Sequence, residues 1–191
     1  MNPIIIHTDG SCETQTRLGG WAAVLQCGDH QRVLQGSVSD TTVNAMELTA
    51  VIEALKALKQ AGSAVQLFSD SNYVVRGVNE WLSDWLKRGW KNARGEQVAN
   101  LDLWQQLKTL LELHTVTLTW IPRGQNAQAD ELAQSARITQ KPLNDAGSSA
   151  APTVSAQAVA ETHIMIAGSR YASREALDYA RRVVRRVHQL G

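Results

Sequence analysis

The stretch Ile4-Ile5-Ile6-His7-Thr8-Asp9-Gly10-Ser11 decides the fold predicted for this chain. Three consecutive β-branched apolar residues without polar alternation indicate a strand that is buried on both faces. The strand is expected to end at Asp9, where a carboxylate is costly to bury unless another group pairs with it. On one interpretation Asp9 and Gly10 form an Asx turn, and on the other Asp9 is a metal ligand.

A second strand is expected to end in the same way. After the first strand, a hairpin is predicted over residues 21–27 and 32–38, and a 3.6-residue apolar repeat then predicts a helix from Asn44 to Gly62. Val65 to Ser69 is the next strand, and Asp70 follows it directly. A strand, a crossover helix and another strand favour a parallel βαβ unit. Asp9 and Asp70 are therefore expected at the same edge of one sheet.

The remaining pattern predicts the rest of an α/β domain and an appendage. Helices are predicted over residues 72–79 and 101–113, a strand over 115–121, and a last helix that carries Ala129 to Ala133. Residues rich in Ala, Ser, Thr, Pro and Gly then predict a flexible linker. We divide the chain into a domain of residues 1–139, a linker of residues 140–160 and an extension of residues 161–191.

Composition and charge limit the classes of protein. Residues 1–139 carry 12 basic and 14 acidic residues, net −2, whereas residues 140–191 carry 7 and 4, net +3. An apolar run of about 20 residues, as a membrane span needs, is absent from the sequence. Met1 to Pro3 lead directly into the first strand, so no signal peptide is expected. Cys12 and Cys27 lack the spacing of a zinc or redox motif, so we expect free thiols and a cytoplasmic location.

Four acidic residues lie at the ends of predicted adjacent strands or on the helices expected to cover them, and each also has a purely structural explanation. Glu47 follows Asn44 by three residues, which is the spacing of a capping box. Asp70 can cap the helix that follows it. Asp130 lies near a helix N-terminus, where the helix dipole favours an acid.

Taken together, these acids predict a metal site, and we call them the carboxylate cluster: Asp9, Glu47, Asp70 and Asp130. Converging carboxylates repel one another strongly at low dielectric. Divalent cations that bridge them relieve this repulsion, and hard oxygen ligands favour Mg²⁺ or Mn²⁺ over zinc. Paired metal ions stabilise the attacking and leaving oxygens in phosphoryl transfer, so the cluster predicts that class of reaction.

A second motif combines tryptophans with positive charge. Residues 81–94, which we call the basic handle, hold three of the six tryptophans and four basic residues against one acid. Packing against the core would explain Trp81 and also Trp104. Exposed basic groups that follow phosphates, and aromatic rings that pack on sugars or bases, suit Trp85 and Trp90 better.

Four sequence blocks, in order along the chain, resemble those of type 1 ribonuclease H: Thr8–Ser11, Asn44–Leu48, Asp70–Val74 and Ala129–Ala133. The basic handle, closing with Asn100–Trp104, is similar to that of the bacterial members, and the resemblance covers residues 3–138. It implies an α/β fold with a mixed five-stranded sheet, in strand order 3-2-1-4-5, flanked by helices.

The resemblance also implies an activity. It is endonucleolytic hydrolysis of the RNA strand of RNA–DNA hybrids with two Mg²⁺ ions, with Mn²⁺ as a possible substitute, leaving 5′-phosphate and 3′-hydroxyl ends. By position, the carboxylate cluster matches the catalytic and metal-binding acids of the family.

The expected substrate is recognised by its shape. The RNA strand, with its 2′-hydroxyls, would lie near the metal ions and the DNA backbone against the basic handle, with little sequence preference. The residues expected to contact substrate are Gly10, Ser11, Gln15, Thr42, Asn44, Ser71, Asn72, Trp81, Trp85, Lys87, Arg88, Trp90, Lys91 and Asn126.

The chain departs from the family pattern at three places. Gln15 occupies the position of an Asn, and Asp40 stands where bacterial members often carry Arg. Both changes alter the pocket for a DNA phosphate, although Thr42 and Asn44 match. The loop before the last helix is short and lacks the catalytic His of the bacterial enzymes, and we expect Arg123 to serve in its place.

Two histidines have structural explanations. His7 points to the same face of its strand as Asp9, and we expect a hydrogen-bonded core residue rather than a catalytic one. His114 follows a predicted helix and is expected to be its C-terminal cap.

The extension carries a further pattern. From Ser173 onward, Leu177, Ala180, Val184 and Val187 form one apolar stripe with arginines largely off it, which predicts a basic amphipathic helix. This helix either docks on a protein surface with its arginines solvated or serves as an auxiliary nucleic-acid arm.

The expected partner is an RNA–DNA hybrid, with no membrane contact. A monomer is expected, with dimerisation through the C-terminal helix as the alternative. Two other function classes compete: a DNA nuclease of the same fold, such as a transposase or resolvase, and a hybrid-binding module without catalysis. The basic handle and the block Ser69-Asp70-Ser71 argue against the first, and the complete carboxylate cluster argues against the second.

Overall fold

One mixed sheet forms the centre of the computed structural model, which describes residues 3–139. Its five strands lie in the order β3-β2-β1-β4-β5, which confirms the predicted order. β1 pairs antiparallel with β2 and parallel with β4, β2 pairs antiparallel with β3, and β4 pairs parallel with β5. The strands are β1 Ile4–Cys12, β2 Gly19–Cys27, β3 His30–Val38, β4 Ala64–Ser69 and β5 Thr115–Trp120.

The first strand is longer than predicted. Its parallel pairing with β4 ends where Thr8 faces Ser69, but its antiparallel pairing with β2 continues until Cys12 faces Gly19. The prediction that β1 ends at Asp9 is therefore wrong, because β2 still pairs with the backbone there. Asp9 is instead the first residue of β1 beyond the reach of its parallel neighbour.

The described helices flank this sheet: α1 Val43–Lys56, α2 Asn72–Arg76, α3 Leu82–Lys87, α4 Leu101–Leu113 and α5 Ala127–Thr139. α1 begins after Thr42, whose side chain accepts a hydrogen bond from the Ala45 amide. The predicted capping box of Asn44 and Glu47 is therefore wrong, and α1 ends at Lys56 rather than at Gly62.

Of two further predicted helix caps, the one at the start of α2 is wrong and the one at the end of α4 is confirmed. Ser71 caps α2 by accepting from the Val74 amide, so the structural explanation of Asp70 as this cap is also wrong. His114 occupies the C-terminal cap position of α4, as predicted.

The predicted helix over residues 72–79 is part of a longer helical segment. A π-helical turn, Gly77–Trp81, joins α2 to α3. The Trp104 ring lies so close to Gly77 that a Cβ atom there would be 2.1 Å from it. Trp104 is fully buried, with its indole N–H bonded to the Tyr73 hydroxyl at 2.9 Å. The close fit of glycine and tryptophan coincides with the π turn, a type of distortion common at functional sites.

Helices α1 and α5 lie on opposite faces of the sheet. A Cβ added to Gly10 would meet the α1 backbone at Glu47, 2.3 Å from its nitrogen, whereas a Cβ added to Gly20 would lie 2.2 Å from the Ala133 carbonyl of α5. Gly20 pairs with Ser11, the neighbour of Gly10, and neighbouring strand residues point to opposite faces. The apolar core lies on the α1 side, where α4 also packs, and includes Ile6, Leu48, Ile52, Leu67, Trp104 and Leu107.

The predicted linker and extension, residues 140–160 and 161–191, lie outside the described residues. Among residues 3–139, no helix is both long enough and apolar enough to cross a membrane.

Candidate active site

Asp9 and Asp70 lie on neighbouring strands at one edge of the sheet. The pairing of Thr8 with Ser69 makes each aspartate the next residue on its own chain segment. Asp9 is 4% exposed. Burial, followed by repulsion from Asp70 and Asp130, raises the pKa of Asp9 to about 7. The expected juxtaposition of the two aspartates is confirmed.

Glu47 reaches the same edge from α1. The close contact between its backbone and Gly10 leaves no room for any larger residue in β1, so this glycine lets α1 approach Asp9. Burial, followed by repulsion from Asp9 and Asp70, raises the pKa of Glu47 to about 9, although a hydrogen bond from the Gly10 amide partly opposes the shift. The Oε2 atom of Glu47 is buried and has no hydrogen-bond partner in the described part of the chain.

Asp130 lies in the first turn of α5, as the sequence predicted. Both of its carboxylate oxygens accept hydrogen bonds. Oδ1 accepts from the guanidinium of Arg123, and Oδ2 accepts from the Gln134 amide at 2.9 Å. Gln134 is one helical turn further along α5, where a residue at i+4 shares the face of Asp130. Gln134 is not among the predicted site residues, because one glutamine on a helix gives no distinguishing signal.

Arg123 is the cation that faces the carboxylate cluster. It comes from the short 3₁₀ turn Arg123–Gln125, and its side chain is 69% exposed. Its positive charge opposes the rise in pKa at Asp9 and Glu47, and the hydrogen bond to Asp130 raises its own pKa. Arg123 therefore stays charged and lies beside the acids, at the place where it was expected to act.

Asn126 was expected to contact substrate, but the structure buries it. Its side chain is 2% exposed, and Nδ2 donates to the Asp70 Oδ1 at 2.7 Å and to the Thr8 carbonyl at 2.9 Å. An amide with both donors used inside the protein is not available to a duplex outside it. The burial of Asn126 corrects the predicted contact.

His7 lies next to the Asn126 side chain. Its ring stacks on Phe68 with a centroid distance of 5.1 Å. Burial lowers the pKa of His7, and the Asn126 side chain opposes that effect. The packed environment agrees with the expected core role.

The carboxylate cluster fits divalent cations by its chemistry. Within residues 3–139, no three His, Cys, Asp or Glu side chains converge closely enough to enclose a single ion. Nevertheless, the Asp9 and Glu47 side chains are buried beside further acids, and the Oε2 atom of Glu47 lacks a partner. Mg²⁺ and Mn²⁺ bind carboxylate oxygens, so the residues present suit these ions.

Several predicted substrate contacts occupy the surface around the cluster, and others do not. Gly10 and Ser71 are buried, the first against α1 and the second as the cap of α2. Ser11 is half-buried, and the remaining residues of this group are exposed: Gln15, Thr42, Asn44 and Asn72.

The charge reversal at Asp40 is compensated locally. Arg17 Nε lies 2.6 Å from Asp40 Oδ1, and both side chains are more than half exposed. Both residues adopt positive φ, 55° and 53°, and the Arg17 carbonyl accepts from the Thr41 amide. Arg17, from the turn between β1 and β2, therefore neutralises Asp40 and contacts the backbone of Thr41, the residue before Thr42.

The basic handle has an aromatic interior and a charged exterior. Trp104 is buried as expected, and Trp85 packs against it with a centroid distance of 5.1 Å. Trp85 and Trp90 were expected to be exposed, but both are half-buried against the core. Trp81 is also half-buried, and the Arg76 guanidinium lies 5.2 Å from its ring centroid.

All four basic residues of the handle are exposed, and we call three of them the handle cations: Lys87, Arg88 and Lys91. Lys87 lies 3.7 Å from Asp84, in a pair with both side chains more than half exposed. Such surface pairs contribute little to stability, so Lys87 is not held in place by this pair.

Trp120, which the sequence analysis did not single out, lies beside Asp70. It ends β5, its side chain is 46% exposed, and its indole N–H donates to the Asp70 carbonyl at 3.1 Å. Because β5 pairs with β4 only in the folded sheet, this neighbour of Asp70 is 50 residues away in sequence and gives no local signal.

Comparison with known proteins identifies similar chains. A family model described as RNase H matches residues 1–138. The ribonuclease H of Polynucleobacter asymbioticus is 52% identical over 131 residues, which cover 68% of this chain and 84% of that protein. The ribonuclease H of Cupriavidus pinatubonensis is 47% identical over 138 residues, covering 70% of this chain and 94% of that one.

Solved structures are similar as well. LC9-RNase H1, described as a type 1 RNase H with the type 2 active-site motif, is 31% identical with a TM-score of 0.65, covering 74% of this chain and 75% of that one. LC11-RNase H1, solved in complex with an RNA/DNA hybrid, has the same fold at 21% identity and a TM-score of 0.58, covering 71% of this chain and 97% of that one.

Proposed function

The chain belongs to the ribonuclease H family and is an endonuclease for the RNA strand of RNA–DNA hybrids, and we propose that its carboxylate cluster binds two divalent cations for this reaction. The observation that carries the proposal is the burial of Asp9 and Glu47 beside further acids, where their ionised forms are disfavoured without a cation. The pKa values of Asp9 and Glu47 are raised to about 7 and about 9, because burial and neighbouring acids disfavour their ionised forms. A cation bound beside these two carboxylates would lower their pKa values and favour the ionised forms.

Mg²⁺ is the proposed ion, with Mn²⁺ as a substitute, since both prefer oxygen ligands. When bound, two such ions stabilise the attacking and the leaving oxygen of an in-line displacement at phosphorus. Membership of the ribonuclease H family implies 5′-phosphate and 3′-hydroxyl products, and we propose these ends for this chain.

The chain's own residues orient the reacting groups. Gln134 and Arg123 hold the Asp130 carboxylate, and Gly10 gives Glu47 its close approach to Asp9. The exposed guanidinium of Arg123 can donate to a phosphate oxygen of a bound strand, and we assign it the role of the absent loop histidine. A guanidinium of this kind remains charged at all working pH values, so Arg123 supplies positive charge rather than a transferable proton.

The hybrid is proposed to lie across the sheet edge, with its DNA strand on the basic handle. The handle cations are exposed, and the half-buried tryptophans beneath them hold them on a rigid base. Arg17 is proposed to contact a DNA phosphate beside Thr42, in place of a cation at Asp40. Contacts to phosphate and sugar carry no sequence information directly, which supports recognition by duplex shape.

We further propose that the protein works as a cytoplasmic monomer. Cys12 and Cys27 are both free thiols, a state typical of a reducing compartment. Size-exclusion chromatography with light scattering, with and without hybrid, measures the oligomeric state.

The experiment that tests the proposed function is cleavage of end-labelled duplexes. RNA–DNA, RNA–RNA and DNA–DNA substrates of one sequence are incubated with Mg²⁺, with Mn²⁺ and with a chelator. We expect cleavage of the RNA strand of the hybrid, dependent on the cation and lost in the chelator. Cleavage of the DNA duplex would favour a DNA nuclease, and binding without cleavage would favour a hybrid-binding module.

A further inference from the structure

Asn126 connects three of the segments that carry the carboxylate cluster. It lies between the 3₁₀ turn and α5, and its backbone carbonyl accepts from the Asp130 amide at 3.1 Å. Its backbone amide donates to the Arg123 carbonyl at 2.9 Å. The main chain of Asn126 therefore fixes where the first turn of α5 begins, and with it the position of Asp130.

The side chain of Asn126 reaches the other two segments. One donor bond goes to the Asp70 carboxylate at the end of β4, and the other goes to the carbonyl of Thr8, the residue before Asp9. Because the side chain is 2% exposed, water cannot easily replace either bond. One buried amide thus sets the relative positions of Asp9, Asp70 and Asp130.

An uncharged amide is suited to this position for a chemical reason. A side-chain amide offers two N–H donors without a net charge. It can bind a carboxylate and a carbonyl together, and unlike Lys or Arg it does not compete with a cation for the negative charge of Asp70. Turned the other way, its oxygen would face two oxygens, so the hydrogen-bond network fixes the amide orientation.

The buried amide also carries a cost. The Oδ1 atom of Asn126 has no partner within hydrogen-bond distance among the described residues, although the His7 ring lies close enough for the amide to raise the His7 pKa; the Oγ1 atom of Thr8 also lacks a partner. An unpaired buried acceptor destabilises a protein. An apolar side chain at this site would avoid that cost, so the two donor bonds are the explanation for an asparagine here.

We infer that Asn126 is a positioning residue, which sets the spacing and orientation of Asp9, Asp70 and Asp130 for the cations. The inference rests on the proposed metal site. Partners of this kind, which contact metal ligands rather than metal, typically change metal affinity or activity about 10- to 100-fold when they are lost.

The test is calorimetric titration of the full chain with Mg²⁺ and with Mn²⁺, without nucleic acid, combined with steady-state kinetics on hybrid. Asn126→Leu keeps the size of the side chain and removes both donors, and Asn126→Ser keeps one hydroxyl donor in a smaller side chain. Ile52→Val, in the core and 1% exposed, is the control for a general loss of stability. Melting temperatures are measured for every variant.

We expect Asn126→Leu to bind the cation about 10- to 100-fold more weakly. Its turnover number at limiting cation should fall and recover in part at high cation, with the KM for hybrid unchanged. Asn126→Ser should fall between Asn126→Leu and the wild type, and Ile52→Val should match the wild type in cation affinity. If Asn126→Leu does not fold, Asn126→Ser carries the same comparison.

Unchanged cation affinity in a folded Asn126 variant would overturn the inference. A raised KM for hybrid with unchanged cation affinity would do so as well, because it would return Asn126 to a substrate contact. Failure of the wild type to bind either cation, with Asp70→Asn indistinguishable from it, would instead overturn the proposed metal site on which the inference rests.

Discussion

Replacement of Glu47 by Gln removes the cost of ionising a buried acid beside Asp9 and Asp70. Glu47 is 8% exposed, and its Oε2 atom lacks a partner. The change removes the ionisable group and keeps the shape, so the Gly10 amide still finds an acceptor. We expect this variant to be more stable than the wild type in the absence of metal, although it should cleave hybrid poorly.

The magnitude follows from the pKa of Glu47, which burial and then Asp9 raise from 4.5 to about 9. A carboxyl with a higher pKa in the folded protein favours the folded state at low pH, and this contribution falls as the pH rises above the unfolded value. From pH 4.5 to pH 7 the loss is about 1.4 kcal/mol per pH unit, or about 3 kcal/mol in all. Local relaxation and entry of water reduce it, so we expect Glu47→Gln to gain about 1–3 kcal/mol at neutral pH.

The assay is urea denaturation of both proteins between pH 4.5 and pH 8, with a chelator and with excess Mg²⁺. In the chelator, the difference in unfolding free energy should be near zero at pH 4.5 and should grow with pH. Excess Mg²⁺ should stabilise the wild type more than the variant and reduce the difference. A difference that does not change with pH would refute the reasoning.

The other predictions concern substrate and the C-terminal segment. Replacing the handle cations by Ala should raise the KM for hybrid and leave the turnover number nearly unchanged. The slope of log KM against log salt should fall by about 2–3. Lys59→Ala, at an exposed position, is the control, and an unchanged slope would count against the handle as a substrate contact. Arg123→Ala should lower the turnover number, with Arg123→Lys in between, and rates equal to the wild type would remove Arg123 from the site. A chain ending at Ile138 should still cleave hybrid but bind it several-fold more weakly at low salt. Equal affinity would exclude a nucleic-acid arm, and a lower melting temperature would favour docking.

The sequence predicted the sheet edge well because local signals determine it. Continuous apolar runs before Asp9 and Asp70 indicate buried strands, and a crossover helix between two such strands favours parallel neighbours. The resemblance to ribonuclease H supplied the strand order. Helix caps were less predictable: Thr42 and Ser71 cap α1 and α2, while their neighbours had equally suitable side chains.

The features that the sequence did not reveal depend on distant partners. Asn126 lies among polar loop residues and gives no sign of burial, because its partners at Thr8 and Asp70 are 118 and 56 residues away. The pair of Arg17 and Asp40 forms only when two turns meet. Hydrophobic periodicity reports which face of an element is buried, and it does not report which polar groups meet across elements.

The most direct test of the account is single-turnover cleavage of an RNA–DNA hybrid by Asp70→Asn at saturating Mg²⁺. The variant keeps the side-chain shape and an acceptor for the Asn126 amide, so near-native circular dichroism and melting are expected. We predict a cleavage rate at least about 100-fold below the wild type. Loss of a residue that contacts only a metal ligand typically costs about 10- to 100-fold, and loss of a ligand itself should cost at least the upper end of that range. A folded Asp70→Asn that cleaves hybrid at nearly the wild-type rate would contradict the assignment of the carboxylate cluster as the catalytic centre.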